Sequence, residues 1–145
     1  MKIVIVASIQ FTYEIEKITK KLERLGYKVE IPWAAKKILK GDIDYNDFMS
    51  IKEKRGDNEF RNKAEEDLII RYYKLIKKGD AILVLNYDKK GIKNYIGGNA
   101  LIEMSFAHIL SKPIYLINPI PEMIYTDEIK AMKPILINGD LSKIK

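Results

Sequence analysis

The sequence predicts an α/β chain in which a parallel five-stranded sheet is wrapped by helices on both faces. Three observations carry the prediction. Short apolar runs (KIVIVA, YKVEI, AILVLN, PIYLI, PILI) alternate with helix-length segments of three- and four-residue periodicity. The first and third runs are continuously apolar rather than alternating, as expected of parallel strands buried on both faces. Glycine punctuates the ends of the periodic segments, at Gly26 and Gly79.

Taken in order, KIVIVA is the first strand, followed by a turn from Ser8 to Thr12. From Tyr13 the residues Ile15, Ile18, Leu22 and Leu25 share one helix face, with Gly26 as a left-handed stop, before the strand YKVEI meets Pro32. From Trp33 to Asn62 the pattern weakens into charged, aromatic-sprinkled sequence, which reads either as a mobile flap at about 33–62 or as a surface excursion with a short helix. Ala64, Leu68, Tyr72, Leu75 and Ile76 then mark a second helix face ending in lysines, with Gly79 as the stop. After AILVLN a loop from Tyr87 to Gly98 leads into the helix NALIEMSFAHIL. The strand PIYLI, the loop NPIPE, a short helix near TDEIKAM and the strand PILI complete the chain. The expected architecture is a flavodoxin-like, Rossmann-like three-layer sandwich forming a single domain over residues 1–145.

Composition narrows the chemistry. Apolar residues make up 47% and charged residues 32%, too apolar for disorder and too interrupted by charge for a membrane span. The short N-terminal apolar run lacks a cleavage pattern, so a cytoplasmic, non-membrane protein is expected. Cysteine is absent and His108 is the only histidine, which removes thiol chemistry, Cys/His metal sites and Ser-His catalysis. No metal or cofactor is expected. The net charge of +6 is spread along the chain and interleaved with acids, so it fits cationic solubility better than nucleic-acid binding. Heavy Lys, Glu and Ile usage also fits a heat-adapted protein.

In sheets of this kind ligands bind beyond the carboxyl ends of the strands. That rule selects the loops Ser8 to Thr12, Asn86 to Gly98 and Asn118 to Glu122, and demotes Asp80, which starts its strand. The candidate binding residues are therefore Ser8, Ile9, Gln10, Phe11, Asn86, Gly97, Gly98 and Asn99. Ser8 can donate to a phosphate or sugar hydroxyl, or be an ordinary turn serine. Phe11, Tyr13 and Tyr87 can stack on a base or cap the core. Lys89, Lys90 and Lys93 can attract a phosphate or simply solvate their loop.

Glu103 is the candidate catalytic residue. With Asn99 as N-cap, the spacing to Phe106, Ala107 and Leu110 aims its carboxylate inward, and Ile102 occupies the capping-box position. The helix macrodipole is expected to favour the ionised form that a nucleophile needs. Read from periodicity alone, Glu103 is equally a helix-start acid paired with a lysine or tyrosine.

The order KIVIVASI, DAILVLNYD and GGNALIEMSFAHILSKPIYLI resembles the nucleoside 2-deoxyribosyltransferases and the related 2'-deoxynucleoside 5'-phosphate N-hydrolases, over most of the chain outside Trp33 to Asn62. The resemblance implies that Glu103 is the nucleophile in N-glycosidic cleavage or deoxyribosyl transfer on a deoxynucleoside or its 5'-monophosphate. It also implies that the protein is at least a homodimer. The chain departs from the family at Gly97, where an acid precedes the glycine turn, at IRYYK, where another acid stands, at Ser105 in place of a glycine, and at QFT in place of Arg-Gly-Gly. Asp88 is the candidate replacement acid, with an ordinary turn residue as its other reading, and Asp67 is a further candidate. The alternative from a different class is a non-catalytic nucleotide-binding module on the same fold.

Overall fold

The computed structural model describes residues 1–54 and 58–145, with the side chains of residues 51–67 lying outside the description. The strands β1 (Lys2–Val6), β2 (Lys28–Glu30), β3 (Ala81–Val84), β4 (Ile114–Leu116) and β5 (Ile135–Leu136) form one sheet, ordered β2-β1-β3-β4-β5 with every neighbouring pair parallel. The order reverses between β1 and β3, which places the ligand-binding crevice of this architecture at their carboxyl ends.

β1 shows why its run is unbroken by polar residues. Ile3 and Ile5 enter one core layer, with Ile15, Ile18 and Leu22 of α1 (Thr12–Arg24), while Val4 and Val6 enter the other. That second layer contains Tyr72 and Ile76 of α4 (Asn58–Lys78), Met104 and Ala107 of α5 (Gly98–Ile109), and Ile129 of α6 (Thr126–Ala131). A strand covered on both sides has no solvent face for a polar residue to occupy.

The segment from Trp33 builds helices: α2 (Trp33–Leu39) buries Ala35 and Ile38, and α3 (Tyr45–Lys54) follows. α4 then begins at Asn58, six residues before the first expected apolar position at Ala64, whose side chain lies outside the described residues. Two of the helices here are short and their charged turns dilute the periodicity that marks longer helices.

Gly26 adopts φ +93°, the left-handed stop that ends α1. α4 ends at Lys78, directly before Gly79, as expected of its stop, although Gly79 does not adopt a positive φ. A Cβ there would lie 2.7 Å from Val4 Cγ2, so glycine is required by the close approach of the α4 end to β1. Asp80 accepts a 2.7 Å hydrogen bond from the Lys2 amide and ties β3 to β1 at the amino edge, away from the crevice. Among the described residues, no helix is long and apolar enough to cross a membrane.

Candidate functional site

Three loops meet at the strand carboxyl ends, and a buried asparagine locks two of them. Asn86 directly follows Leu85 and is 1% exposed. Its side-chain amide donates to the carbonyls of Asn118 and Pro119 at 3.1 and 3.0 Å, and to that of Asn94 at 3.4 Å. Its Oδ1 accepts the Asn118 amide at 3.0 Å, and Asn118 Nδ2 returns a bond to the Asn86 carbonyl at 3.1 Å. With both amide hydrogens and one Oδ1 lone pair engaged, Asn86 shapes the crevice by holding its loops together. Asn86→Ala strands these loop groups, and a loss of about 2 kcal/mol in urea denaturation is the expected result. A loss below about 0.5 kcal/mol would show the lock to be dispensable.

The first loop forms a 3-10 turn over Ile9–Phe11 that runs into α1. Ser8 Oγ accepts a 2.7 Å hydrogen bond from Lys89 Nζ, joining the β1 loop to the β3 loop. Phe11 meets Tyr87 edge-on with centroids 5.2 Å apart, and the Gln10 carbonyl accepts from Tyr45 Oη of α3 at 2.9 Å. Ser8, Ile9, Gln10 and Phe11 are all half-buried. This rim is aromatic and basic, for Lys89 and Lys90 both lie within 5.9 Å of the Tyr95 ring.

Asp88 is exposed and its Oδ1 accepts from the Asn94 amide at 2.9 Å, closing the turn in which Lys90, Gly91 and Asn94 take positive φ. That geometry is the turn chemistry of a side chain mimicking a backbone acceptor. Asp67 has a side chain outside the described residues.

α5 begins one residue after Gly97, which is its N-cap, so the expected cap at Asn99 is corrected: Asn99 stands inside the first turn and is exposed. A Cβ on Gly97 would lie 3.2 Å from the Tyr95 ring, whereas Gly98 faces open space. The earlier start moves Glu103 to the sixth helical position, beyond the first turn to which the macrodipole's influence is confined. The consequence overturns the expected ionised carboxylate. Burial pushes the Glu103 carboxyl from the usual 4.5 up to about 8, with neither a hydrogen bond nor a neighbouring charge among the described residues acting on it. Desolvation wins because no described group opposes it.

Tyr72, on the facing helix α4, is the neighbour that periodicity did not disclose. Its phenol is held well above its ordinary range, first by burial and then by the charges of Glu103 and Glu30. The hydroxyl donates to the Ile5 carbonyl, one residue beyond the last β1–β2 pair at Val4 and Glu30. Tyr72 and Ile76 share the buried face of α4, so the sequence marks Tyr72 as core; the available signal was that a buried tyrosine must find a partner for its hydroxyl.

Tyr72 also lines a cleft of about 270 Å³ at the carboxyl end of β2, bounded by Glu30, Ile31, Trp33, Arg71 and Leu75. Trp33 is 42% exposed there. Among the described residues, no group of three acids or histidines is arranged to hold a metal. The structure joins Ser8, Gln10 and Phe11 to the β3 loop and α3, and brings Glu103 close enough to Tyr72 for its charge to act on the phenol; Glu103 and Asp88 share no interaction. Comparison with protein-family models, with curated proteins and with solved structures finds no match.

Proposed function

We propose that this chain cleaves the N-glycosidic bond of a deoxynucleoside or deoxynucleoside 5'-monophosphate, with Glu103 as the reacting carboxyl. The observation that carries the reading is the state of Glu103: half-buried, without a hydrogen-bond partner among the described residues, and poised near neutrality beside Tyr72. A desolvated acid held without structural partners costs the fold stability instead of adding to it, and such groups concentrate where chemistry is done.

The reaction follows the logic of retaining glycosidases. The ionised Glu103 attacks the anomeric carbon, the base departs with the bonding electrons and takes up a proton, and a glycosyl ester remains on the protein. Water or a second base then attacks that carbon and releases the carboxylate, giving hydrolysis or transfer.

The pKa of about 8 makes the role testable. A nucleophile must be ionised, and at pH 7 roughly a tenth of the molecules carry that form, so kcat/KM should climb about tenfold between pH 7 and 9. A proton donor would give the opposite slope. Base release from deoxyribo- and ribonucleosides, with and without 5'-phosphate, followed by chromatography across pH 5 to 9.5, reads this directly. A rate that falls through pH 8 would remove the nucleophile role.

The second reading, a non-catalytic nucleotide-binding module, is favoured by the lack, among the described residues, of a second carboxylate acting on Glu103 and by the engagement of Asp88 in its own turn. Calorimetric binding of a nucleotide without base release from any substrate would select it.

A further inference from the structure

We infer that the cleft between the carboxyl end of β2 and α4 binds a small aromatic acid, one ring or two fused rings bearing a carboxylate or a phosphate. This binding is independent of the chemistry proposed for Glu103. The inner walls of the cleft are apolar: Tyr72 is buried, and Ile31, Leu68 and Leu75 are half-buried. The cations stand further out, for Lys36, Arg71 and Lys74 are all exposed. Trp33, the chain's single tryptophan, joins them at 42% exposed, with Lys37 Nζ 5.9 Å from its ring centroid. A half-exposed tryptophan beside an apolar recess offers a flat surface on which a ring can stack. The volume, about 270 Å³, lies just under the roughly 300–1,000 Å³ of pockets that enclose drug-sized ligands, so the occupant is a smaller molecule.

The polar groups of the cleft decide the sign of the ligand's charge. Tyr72 already donates its hydroxyl hydrogen to the Ile5 carbonyl. Glu30, the one acid among the described lining residues, is held by Lys2 and Lys36, each at 3.4 Å. What is left is a set of donors: the Arg71 guanidinium, the Lys74 ammonium and the Trp33 indole N–H. None of the three has a hydrogen-bond or ion-pair partner among the described residues. The three cations Lys36, Arg71 and Lys74 against the one carboxylate of Glu30 leave the lining with a surplus of two positive charges. A neutral apolar molecule would fill the recess and leave these donors to water, whereas an inorganic anion would meet the donors and leave the apolar walls wet. A ring carrying an acid group answers both, with the ring against Trp33, Tyr72 and Leu75 and the acid on the cations. Arg71 offers two parallel N–H groups, which suit a carboxylate or a phosphate equally.

Trp33 supplies the reporter, because its indole N–H gives the chain's single indole signal in a proton–nitrogen correlation spectrum. Titration of the full chain with benzoate and with phenyl phosphate is expected to shift that signal saturably, with a dissociation constant of about 1 mM or tighter for at least one of them. The tighter of the two identifies the acid group. Benzamide has the ring without the charge, and acetate and inorganic phosphate have the charge without the ring; each should bind at least about tenfold more weakly. Arg71→Gln and Lys74→Gln replace exposed side chains, so the double variant should keep the wild-type circular dichroism while affinity for the tighter acid falls about tenfold or more. Lys89→Gln, in the rim of the crevice beyond β1 and β3, should leave that affinity unchanged. An indole signal that neither aromatic acid moves at roughly 10 mM overturns the inference. So does benzamide or inorganic phosphate binding as tightly as the aromatic acids, or affinity retained in the double variant. A loss of affinity on Lys89→Gln would overturn it as well, by placing the acid in the crevice.

Discussion

Glu103→Gln is expected to lower turnover by about 10³-fold or more while leaving nucleotide affinity within roughly threefold of wild type. The amide has the volume of the carboxylic acid, so the shape of the site around that position survives. It cannot form an ester with the anomeric carbon, so the covalent step is lost. A residue with only a structural role would not separate these quantities, because a local disturbance would weaken binding along with turnover. Single-turnover base release and calorimetric titration on the same preparations measure both. Comparable turnover in the two proteins would remove Glu103 from the reaction.

The same substitution is expected to stabilise the fold at alkaline pH. The Glu103 carboxyl is raised from 4.5 to about 8 by burial, so its folded form binds a proton that the unfolded chain has already released. Below about pH 4.5 both states carry the proton and the group takes nothing from stability. Between 4.5 and 8 the unfolded state gains from ionising while the folded state does not, so stability falls as pH rises and the loss is complete above 8. For a half-buried carboxyl the loss by pH 8.5 amounts to about 2–4 kcal/mol. Glutamine has no proton to release. The variant should therefore exceed the wild type by that amount at pH 8.5, with the difference shrinking steadily toward pH 5. Urea denaturation at closely spaced pH values gives the two curves, and parallel curves would show that Glu103 ionises freely in the folded chain. If Glu103 instead held a helix-start or ion-pair contact, as its position in the sequence allows, the substitution would be destabilising by roughly 0.5–2 kcal/mol.

The two expectations are linked. A carboxyl that lowers stability at the pH where its charge is needed is retained for a reason other than folding, and loss of turnover together with a gain in stability would show both sides of that exchange in one substitution.

The amino-acid sequence by itself determined the layers and the elements with strong local patterns. The unbroken β1 and β3 runs specify strands covered on both faces, and the spacing of Ile15, Ile18 and Leu22 specifies the buried face of α1. Gly26 specifies where that helix ends. These features repeat within a few residues, so the chain encodes them one-dimensionally. The crevice loops followed as well, since strand direction and the β2-β1-β3-β4-β5 order decide which strand ends face the same way.

What only the tertiary structure decided are the properties set by residues distant along the chain. The protonation of Glu103 depends on how completely neighbouring elements exclude water, and on the one-turn context supplied by a helix that starts at Gly98 instead of after Asn99. Tyr72 reaches the Ile5 carbonyl across 67 residues, and Asn86 reaches Asn118 across 32. Gly79 is needed because of a Val4 methyl that arrives from β1, which α1, α2, α3 and α4 separate from it in sequence. Hydrophobic periodicity records which side of an element faces inward, but desolvation, hydrogen-bond satisfaction and steric room depend on what stands opposite, and that is supplied by packing alone.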